Sequence, residues 1–124
     1  MQREVVKKET SIAYEKAVAF ASARIKSPLI RLMQHSYVSY GFSLNVPLWF
    51  VRQNLPCKGA YSISMVTGGK RWSVRCIVNR RATVTGGWKG FVQDNGLKVG
   101  DVCIFQVVNN SKRHVWNVVI FRAE

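Results

Sequence analysis

Two β-forming segments joined by a pair of glycines place the strongest constraint on what this chain can fold into. Ala60–Val66 is the first segment, residues 71–78 are the second, and Thr67-Gly68-Gly69-Lys70 lies between them. Gly-Gly between two such segments indicates a hairpin, because glycine adopts the positive φ angles that tight hairpin turns require. The sequence therefore predicts two antiparallel strands in the middle of the chain.

The second strand of this hairpin also predicts which of its faces is buried. Successive side chains of a strand point to opposite faces. One face is apolar and consists of Trp72, Val74, Cys76 and Val78. The other face is polar and cationic apart from one isoleucine, and consists of Arg71, Ser73, Arg75, Ile77 and Asn79. Burying the second face would leave two arginines without partners, so we expect the first face to pack on the core.

Five further β-forming segments surround the hairpin and suggest the rest of the fold. They are Leu29–Met33, Phe42–Val46, Ala82–Thr85, Asp101–Val108 and Val115–Phe121. Two short helical pieces are predicted as well, one after Pro47 in PLWFVRQNL and one in WKGFVQDNGLKVGD. Seven strands with turns between them predict a mostly β domain, either a barrel or a sandwich.

A longer helix is predicted ahead of the strands, from Thr10 to about Ile25. Thr10 or Ser11 can cap its first turn, and Pro28 ends it. Apolar residues at helical spacing form one face, namely Tyr14, Ala17, Val18, Ala21 and Ile25. We interpret residues 1–9 as a flexible tail or linker, residues 10–25 as a helical extension and residues 26–123 as the domain.

The charge of the chain is strongly unbalanced. It has 19 Lys and Arg against six Asp and Glu, a net charge of +13 in 124 residues. Twelve of these cations lie between residues 16 and 93, an interval that contains no acidic residue. Such a surface cannot neutralise itself, which is typical of proteins that bind a polyanion, usually nucleic acid. Ribosomal, membrane-surface and heparin-binding proteins share this property, so charge alone leaves those classes open.

Metal and disulfide sites are not expected. Cys57, Cys76 and Cys103 form no C-x-x-C pair, and His35 and His114 lack metal-ligand spacing. Two of the cysteines lie among apolar residues, where we expect reduced core thiols. No apolar stretch approaches the roughly 20 residues that span a bilayer. The N-terminus has no signal-peptide core, so we expect a soluble intracellular chain without a membrane partner.

The stretch from Gly87 to Val108 resembles the signature of the plant B3 DNA-binding domain. In that family a Gly-Trp pair precedes a short helix with Phe, and Asn-x-Leu, Gly-Asp and an apolar strand follow. The corresponding residues here are Gly87-Trp88, Phe91, Asn95, Leu97, Gly100-Asp101 and 102–105. The sequence YEKAVAFASARIKSP is similar to the approach sequence of the reproductive-meristem (REM) branch. The resemblance covers roughly residues 26–123.

The resemblance implies a fold and a mechanism. The fold is mostly β, a seven-stranded open pseudobarrel with two short helices, here preceded by an N-terminal helix. Two arms would grip the DNA major groove: a first arm at about His35–Ser43 and a second arm at about Arg75–Thr83. We prefer Asn79 and Arg81 as base-reading residues, since Asn suits the edge of adenine and Arg that of guanine. The DNA-binding candidates are Ser36, Ser39, Tyr40, Ser43, Lys70, Arg71, Arg75, Asn79, Arg80, Arg81, Thr83 and Lys89.

Several of these residues have ordinary structural alternatives. Six cations outside the second arm are plausible phosphate contacts, but each is individually more consistent with a solvated charge: Lys58, Lys70, Arg71, Lys89 and Lys112-Arg113. Tyr37 and Tyr40 are equally consistent with core or hinge aromatics. Trp72, Trp88 and Phe91 are expected in the core, and Asp101 is expected to fix a loop through backbone amides.

Three rival functions are less consistent with the sequence. A nuclease needs clustered carboxylates to hold Mg²⁺, whereas Asp94 and Asp101 stand alone, so no enzyme and no cofactor are expected. A single-stranded nucleic acid or RNA-binding β-barrel needs exposed aromatics among its cations, and the second arm has none. Attachment to an anionic membrane or an acidic protein is weaker still. The sequence thus predicts a double-stranded DNA-binding domain of a plant B3-type transcriptional regulator. We expect a nuclear location, further B3 domains in the parent chain and no small-molecule substrate.

Overall fold

A computed structural model describes residues 7–108 and 113–123 of the chain. In these residues seven strands form one sheet in the order β1-β6-β7-β3-β4-β5-β2. The strands are β1 (Leu29–Leu32), β2 (Leu44–Val46), β3 (Gly59–Thr67), β4 (Lys70–Val78), β5 (Ala82–Val84), β6 (Val102–Val107) and β7 (Val115–Phe121). The helices are α1 (Ile12–Arg24), α2 (His35–Val38), α3 (Leu48–Val51) and α4 (Trp88–Asp94), and a single 3-10 turn, Lys8–Thr10, precedes them.

The predicted central hairpin is confirmed. Thr67 pairs with Lys70 at its turn, and Gly68 and Gly69 have φ angles of 57° and 76°. The predicted orientation of β4 is confirmed too, since the cationic face is exposed and the apolar face is buried, with Trp72 half-buried at its edge.

The sheet curls so that its two edge strands approach each other. β1 and β2 are the first and last strands of the order, and the Arg31 side-chain Nε–H donates to the Asn45 carbonyl oxygen at 3.2 Å. Aromatic rings fill the interior, with Phe50 and Trp116 centroids 5.1 Å apart. This arrangement confirms the expected seven-stranded open pseudobarrel.

The aromatic residues expected in the core lie there. Trp88 and Phe91 are fully buried, with stacked rings 5.3 Å apart. Trp72 packs edge-on against Phe91 at 5.2 Å, and its indole N–H donates to an Asp94 carboxylate oxygen at 2.8 Å. Cys76 and Cys103 are buried free thiols, as predicted, and Cys57 is exposed.

Helix α1 lies on the outer side of the sheet, over a second apolar cluster. Its buried residues are Ala13, Ala17 and Ala21, spaced four apart, and they pack with residues of β1 and β6. The prediction that Val18 lies on the buried face was wrong, because Val18 is 40% exposed. The alanine row faces the sheet instead, since small side chains let the helix axis come close to the strands.

Two local predictions were also wrong. The connection after β1 contains a further short helix, α2, so the domain has three short helices in its described residues rather than two. Strand β2 begins at Leu44 rather than Phe42, because Gly41 and Phe42 have φ angles of 73° and 42° and turn the chain. None of the helices in the described part of the chain is long and apolar enough to cross a membrane.

Candidate nucleic-acid interface

The tip of the second arm is a tight connection between β4 and β5. The Asn79 backbone N–H donates to the Arg81 carbonyl oxygen at 2.8 Å, which fixes the loop while the side chains of Asn79, Arg80 and Arg81 remain exposed. Thr83 in β5 is half-buried beside them. A cleft of about 680 Å³ follows this surface, and no acidic residue is among those that line it: Lys58, Ile77, Asn79, Arg80, Arg81, Thr83 and Thr85.

Arg75 lies on the same outer face, at the base of the second arm. Its backbone is held on both sides, since its N–H donates to the Gly86 carbonyl at 2.7 Å and its carbonyl accepts from the Thr85 N–H at 2.9 Å. The Ser62 and Ser73 hydroxyls beside it are 3.2 Å apart. The structure thus presents an exposed guanidinium from a rigid part of the sheet.

Arg31 was missed as a site residue by sequence reasoning. It lines a cleft of about 340 Å³ on the other side of the second arm, together with Asn45, Arg80 and Arg81. Its Nε–H is bonded to the edge of β2, so its position depends on the closure of the sheet. The available sequence signal was an isolated arginine inside the apolar segment LIRLM.

One side of the first arm packs on the core, and the other side is exposed to solvent. Val38 is buried, Tyr37 packs on the core, and the Trp88 indole N–H donates to the Tyr37 carbonyl at 2.8 Å. The predicted contact residues lie on the outside: Ser36, Ser39 and Tyr40 are exposed and Ser43 is half-buried. Of the two tyrosines, Tyr37 therefore has the structural role, whereas Tyr40 is 42% exposed.

A lysine from another element gives the first arm a positive charge. The Lys89 Nζ lies 5.2 Å from the centroid of the Phe42 ring, within range of a cation–π interaction. The first arm contains no Lys or Arg of its own. The beginning of α4 therefore contributes the cation that this arm lacks.

The two arms lie at opposite ends of the short ladder between β2 and β5. The first arm enters the ladder at Leu44, which pairs with Val84, and the second arm leaves it at Ala82, which pairs with Val46. The ladder has three residue pairs, which at roughly 3.3 Å per residue separate the first arm from the tip of the second by about 10 Å. Its outward-facing pair is Asn45 and Thr83, and Thr83 is the last residue of the second arm.

Two of the predicted contact residues lie away from both arms. Lys70 and Arg71 are at the turn end of β4, about 26 Å and about 23 Å along the strand from Val78, where the tip of the second arm begins. They line a separate cleft with Asp94 and Arg122. The structure does not bring them together with the other candidates, and Lys112 lies outside the described residues.

The carboxylates of Asp94 and Asp101 both have partners that stabilise the fold, and that of Asp94 accepts from the Trp72 indole. Asp101 is 2% exposed and accepts hydrogen bonds from the backbone N–H groups of Lys98 and Ala123, both at 2.9 Å, as predicted for a loop-fixing residue. Its carboxylate also pairs with Arg122 at 3.2 Å. In residues 7–108 and 113–123, no group of three His, Cys, Asp or Glu is arranged to hold a metal ion.

Sequence comparisons extend over most of the chain. The family model of the B3 DNA binding domain matches residues 29–124. The B3 domain-containing protein Os11g0197600 of Oryza sativa subsp. japonica is 35% identical over 124 residues, which cover 95% of this chain and 30% of that protein. The B3 domain-containing protein REM16 of Arabidopsis thaliana is 32% identical over 116 residues, 89% of this chain and 34% of that protein.

The fold has a counterpart among solved structures. The protein in the Arabidopsis FUS3-DNA complex aligns with a TM-score of 0.57 and 19% identity, over 77% of this chain and 97% of that chain. This chain spans about a third of the length of the curated relatives it matches. The family match, the relatives and the curled seven-stranded sheet agree with the motif in residues 87–108, and the chain belongs to the B3 DNA-binding domain family.

Proposed function

We propose that this chain grips the major groove of double-stranded DNA with its two arms, as the DNA-binding domain of a plant transcriptional regulator. The observation that carries the proposal is the carboxylate-free cationic surface around the second arm, with the first arm at the other end of β5. A major groove of about 12 Å admits a two-stranded β-ribbon. The connected strands β4 and β5 supply such a ribbon, with Asn79 and Arg81 at its tip.

Phosphate contacts supply most of the affinity in this proposal. Six cations lie on the arms or line the clefts beside them: Arg31, Lys58, Arg75, Arg80, Arg81 and Lys89. Arginine and lysine at such positions bind phosphate and set the register without reading sequence. Because the first arm offers hydroxyl groups and one borrowed cation, we expect only a weak sequence preference. The binding requires no cofactor, small-molecule substrate or catalytic step.

The direct test is fluorescence anisotropy with a labelled random duplex at several salt concentrations. If the six cations each neutralise one phosphate, log K should fall against log salt with a slope of about −5. A single-stranded competitor should displace the duplex poorly. Absence of binding at low salt would reject the proposal, and the positive charge would then serve a protein or membrane partner.

Preference for the single-stranded competitor would instead favour the RNA or single-strand alternative. Such binders stack bases on aromatic side chains. The residues that line the cleft at the tip of the second arm include no aromatic. Tyr40 on the first arm and Trp49 on α3 are exposed, at 42% and 54%. The aromatic surface and the cationic surface therefore lie on different elements, which favours a duplex ligand.

The wider role follows from the family and from the length of the relatives. Because the chain spans about a third of their length, the presence of further B3 domains in the parent protein is part of the proposal. Nuclear localisation is also part of it, since a regulator of transcription acts on chromosomal DNA. A fluorescent fusion of the parent protein that stays outside the nucleus would contradict this part alone.

A further inference from the structure

Helix α1 lies ahead of residue 29, where the match to the B3 family model begins, although a B3 domain-containing relative aligns over it. Even so, it is packed as closely as the core of the domain. Ala13, Ala17 and Ala21 are 3%, 0% and 1% exposed. The Phe20 ring also meets the Phe121 ring of β7 edge-on at 5.5 Å. The helix is therefore built onto the sheet.

The contact falls on the strand that leads into the first arm. The apolar cluster under α1 includes Leu32 and Val102, and these two residues pair with each other at the end of the ladder between β1 and β6. Leu32 is the last residue of β1, and α2 of the first arm begins three residues later. Helix α1 thus packs over the last residue pair of the ladder between β1 and β6, directly before the chain enters the first arm.

Strand β1 has few other supports. It is a four-residue edge strand whose single neighbour in the sheet is β6. Beyond Leu32 the chain is tied down by Met33, whose N–H donates to the Asp101 carbonyl at 2.8 Å and whose carbonyl accepts from the Gly100 N–H at 2.9 Å. A short edge strand with an uncovered apolar face would fray, and fraying would release the base of the first arm.

We propose that α1 is a positioning element for DNA binding, which holds β1 and thereby fixes the first arm. The proposal rests on the function proposed above. In this role α1 contributes to affinity without touching DNA, because binding to a preformed arm avoids the entropic cost of ordering it. The functional unit then begins at α1, ahead of the residues that the B3 family model matches.

The test compares two substitutions of the same kind in the full chain. Ala17→Leu places a large side chain between helix and sheet, and Ala19→Leu places it on the exposed face of the same helix. Leucine is nearly as good a helix former as alanine, so α1 itself should persist in both variants. Circular dichroism and the fluorescence of buried tryptophan identify conditions in which both variants are folded.

Ala17→Leu should speed hydrogen exchange at the amides of Met33, Ser39 and Tyr40, and leave the amide of Asn79 in the second arm unchanged. It should weaken duplex binding by roughly threefold to tenfold, the loss expected when a few side chains must be ordered on binding. The slope of log K against log salt should stay at the wild-type value, because no phosphate contact is removed. Ala19→Leu should match the wild type in all three measurements.

Three results would overturn the proposal. A folded Ala17→Leu variant with wild-type exchange in the first arm and wild-type affinity would show that α1 does not act on the arm. A shallower salt slope would show that α1 contacts DNA directly. Equally faster hydrogen exchange at the Asn79 amide would show that Ala17→Leu destabilises the whole domain rather than the first arm. Failure of the wild type to bind duplex would reject the proposed function instead, and the exchange data would still report whether α1 controls the arm.

Discussion

At the scale of single residues, substitutions at the tip of the second arm can test the proposed base recognition separately from phosphate binding. Asn79 and Arg81 are exposed on a loop whose backbone is fixed, so their side chains are free to meet the edges of bases. We predict that Asn79→Ala or Arg81→Ala weakens binding to a selected site by about 1–3 kcal/mol more than binding to a scrambled duplex. Competition anisotropy with the two duplexes measures this difference.

Alanine substitutions of two further arginines provide comparisons for that experiment. Arg80→Ala should weaken both duplexes alike and make the salt slope shallower by about one unit. Arg71→Ala removes the same charge at the far end of β4, about 23 Å along the strand from Val78, and so tests whether the interface reaches the hairpin turn. Equal losses on both duplexes for Asn79 and Arg81 would assign these residues to phosphate.

At the scale of elements, the start of α4 fits closely against β4. Gly87 has a φ angle of 85°, and a Cβ at this position would collide with the carbonyl oxygen of Ser73. Neither group can move without shifting a strand or a helix. We predict that Gly87→Ala lowers the free energy of unfolding by about 2–4 kcal/mol, through backbone strain and the clash together. Urea denaturation followed by tryptophan fluorescence measures the loss.

Gly90 provides the matched control within the same helix. A Cβ there would meet nothing within 4 Å, and its φ angle is not positive. Gly90→Ala should therefore leave stability unchanged or raise it by up to about 1 kcal/mol, because alanine favours the helix. A loss as large as that of Gly87→Ala would mean that α4 tolerates no added side chain at all, and the close approach to Ser73 would no longer explain the effect.

At the scale of the whole molecule, the cysteines report global unfolding. Burial raises the pKa of the Cys76 thiol from 9.0 to about 11, and burial raises that of Cys103 further. Since the thiolate is the reactive form, we predict that an aromatic disulfide reagent at pH 8 labels Cys57 quickly. Cys76 and Cys103 should react only at the rate of unfolding. Fast labelling of all three under native conditions would contradict the closed core.

The same pKa shifts predict how stability depends on pH. A thiol whose pKa is raised by folding stabilises the native state fully below its unfolded value and loses this contribution as pH rises through the folded value. For Cys76 that window runs from pH 9.0 to about 11. Removing Cys76 by Cys76→Ala should therefore flatten the decline in stability over this range, as measured by urea denaturation at each pH.

Sequence patterns predicted the elements whose formation depends on neighbouring residues. The bounds of β7 follow from its run of β-forming residues and the alternation of β4 from its period-two apolar residues, and the hairpin follows from Gly68 and Gly69. The predicted apolar face of helix α1 was confirmed at Tyr14, Ala17, Ala21 and Ile25 and was wrong at Val18, because the sequence does not show that the sheet requires small side chains. The motif in residues 87–108 indicated the family. The family resemblance in turn predicted the fold class and the position of the second arm.

Features that depend on distant contacts were not predicted. The first arm is held to the core by a hydrogen bond from the Trp88 indole N–H to the Tyr37 carbonyl, 51 positions apart in the chain. Arg31 lines a cleft beside the second arm because the edge strands β1 and β2 approach each other when the sheet curls. No local pattern encodes either approach, since both result from closure of the whole sheet.

The two edge strands of the sheet, β1 and β2, also affect how readily the domain self-associates. Exposed edge strands offer unpaired backbone groups that other chains can join, which leads to strand exchange and aggregation. Here both edges are only a few residues long, and the guanidinium of Arg31 occupies the gap between them. Such edges are poor templates for strand addition. Copies of this domain at high local concentration can therefore remain separate while they lie side by side.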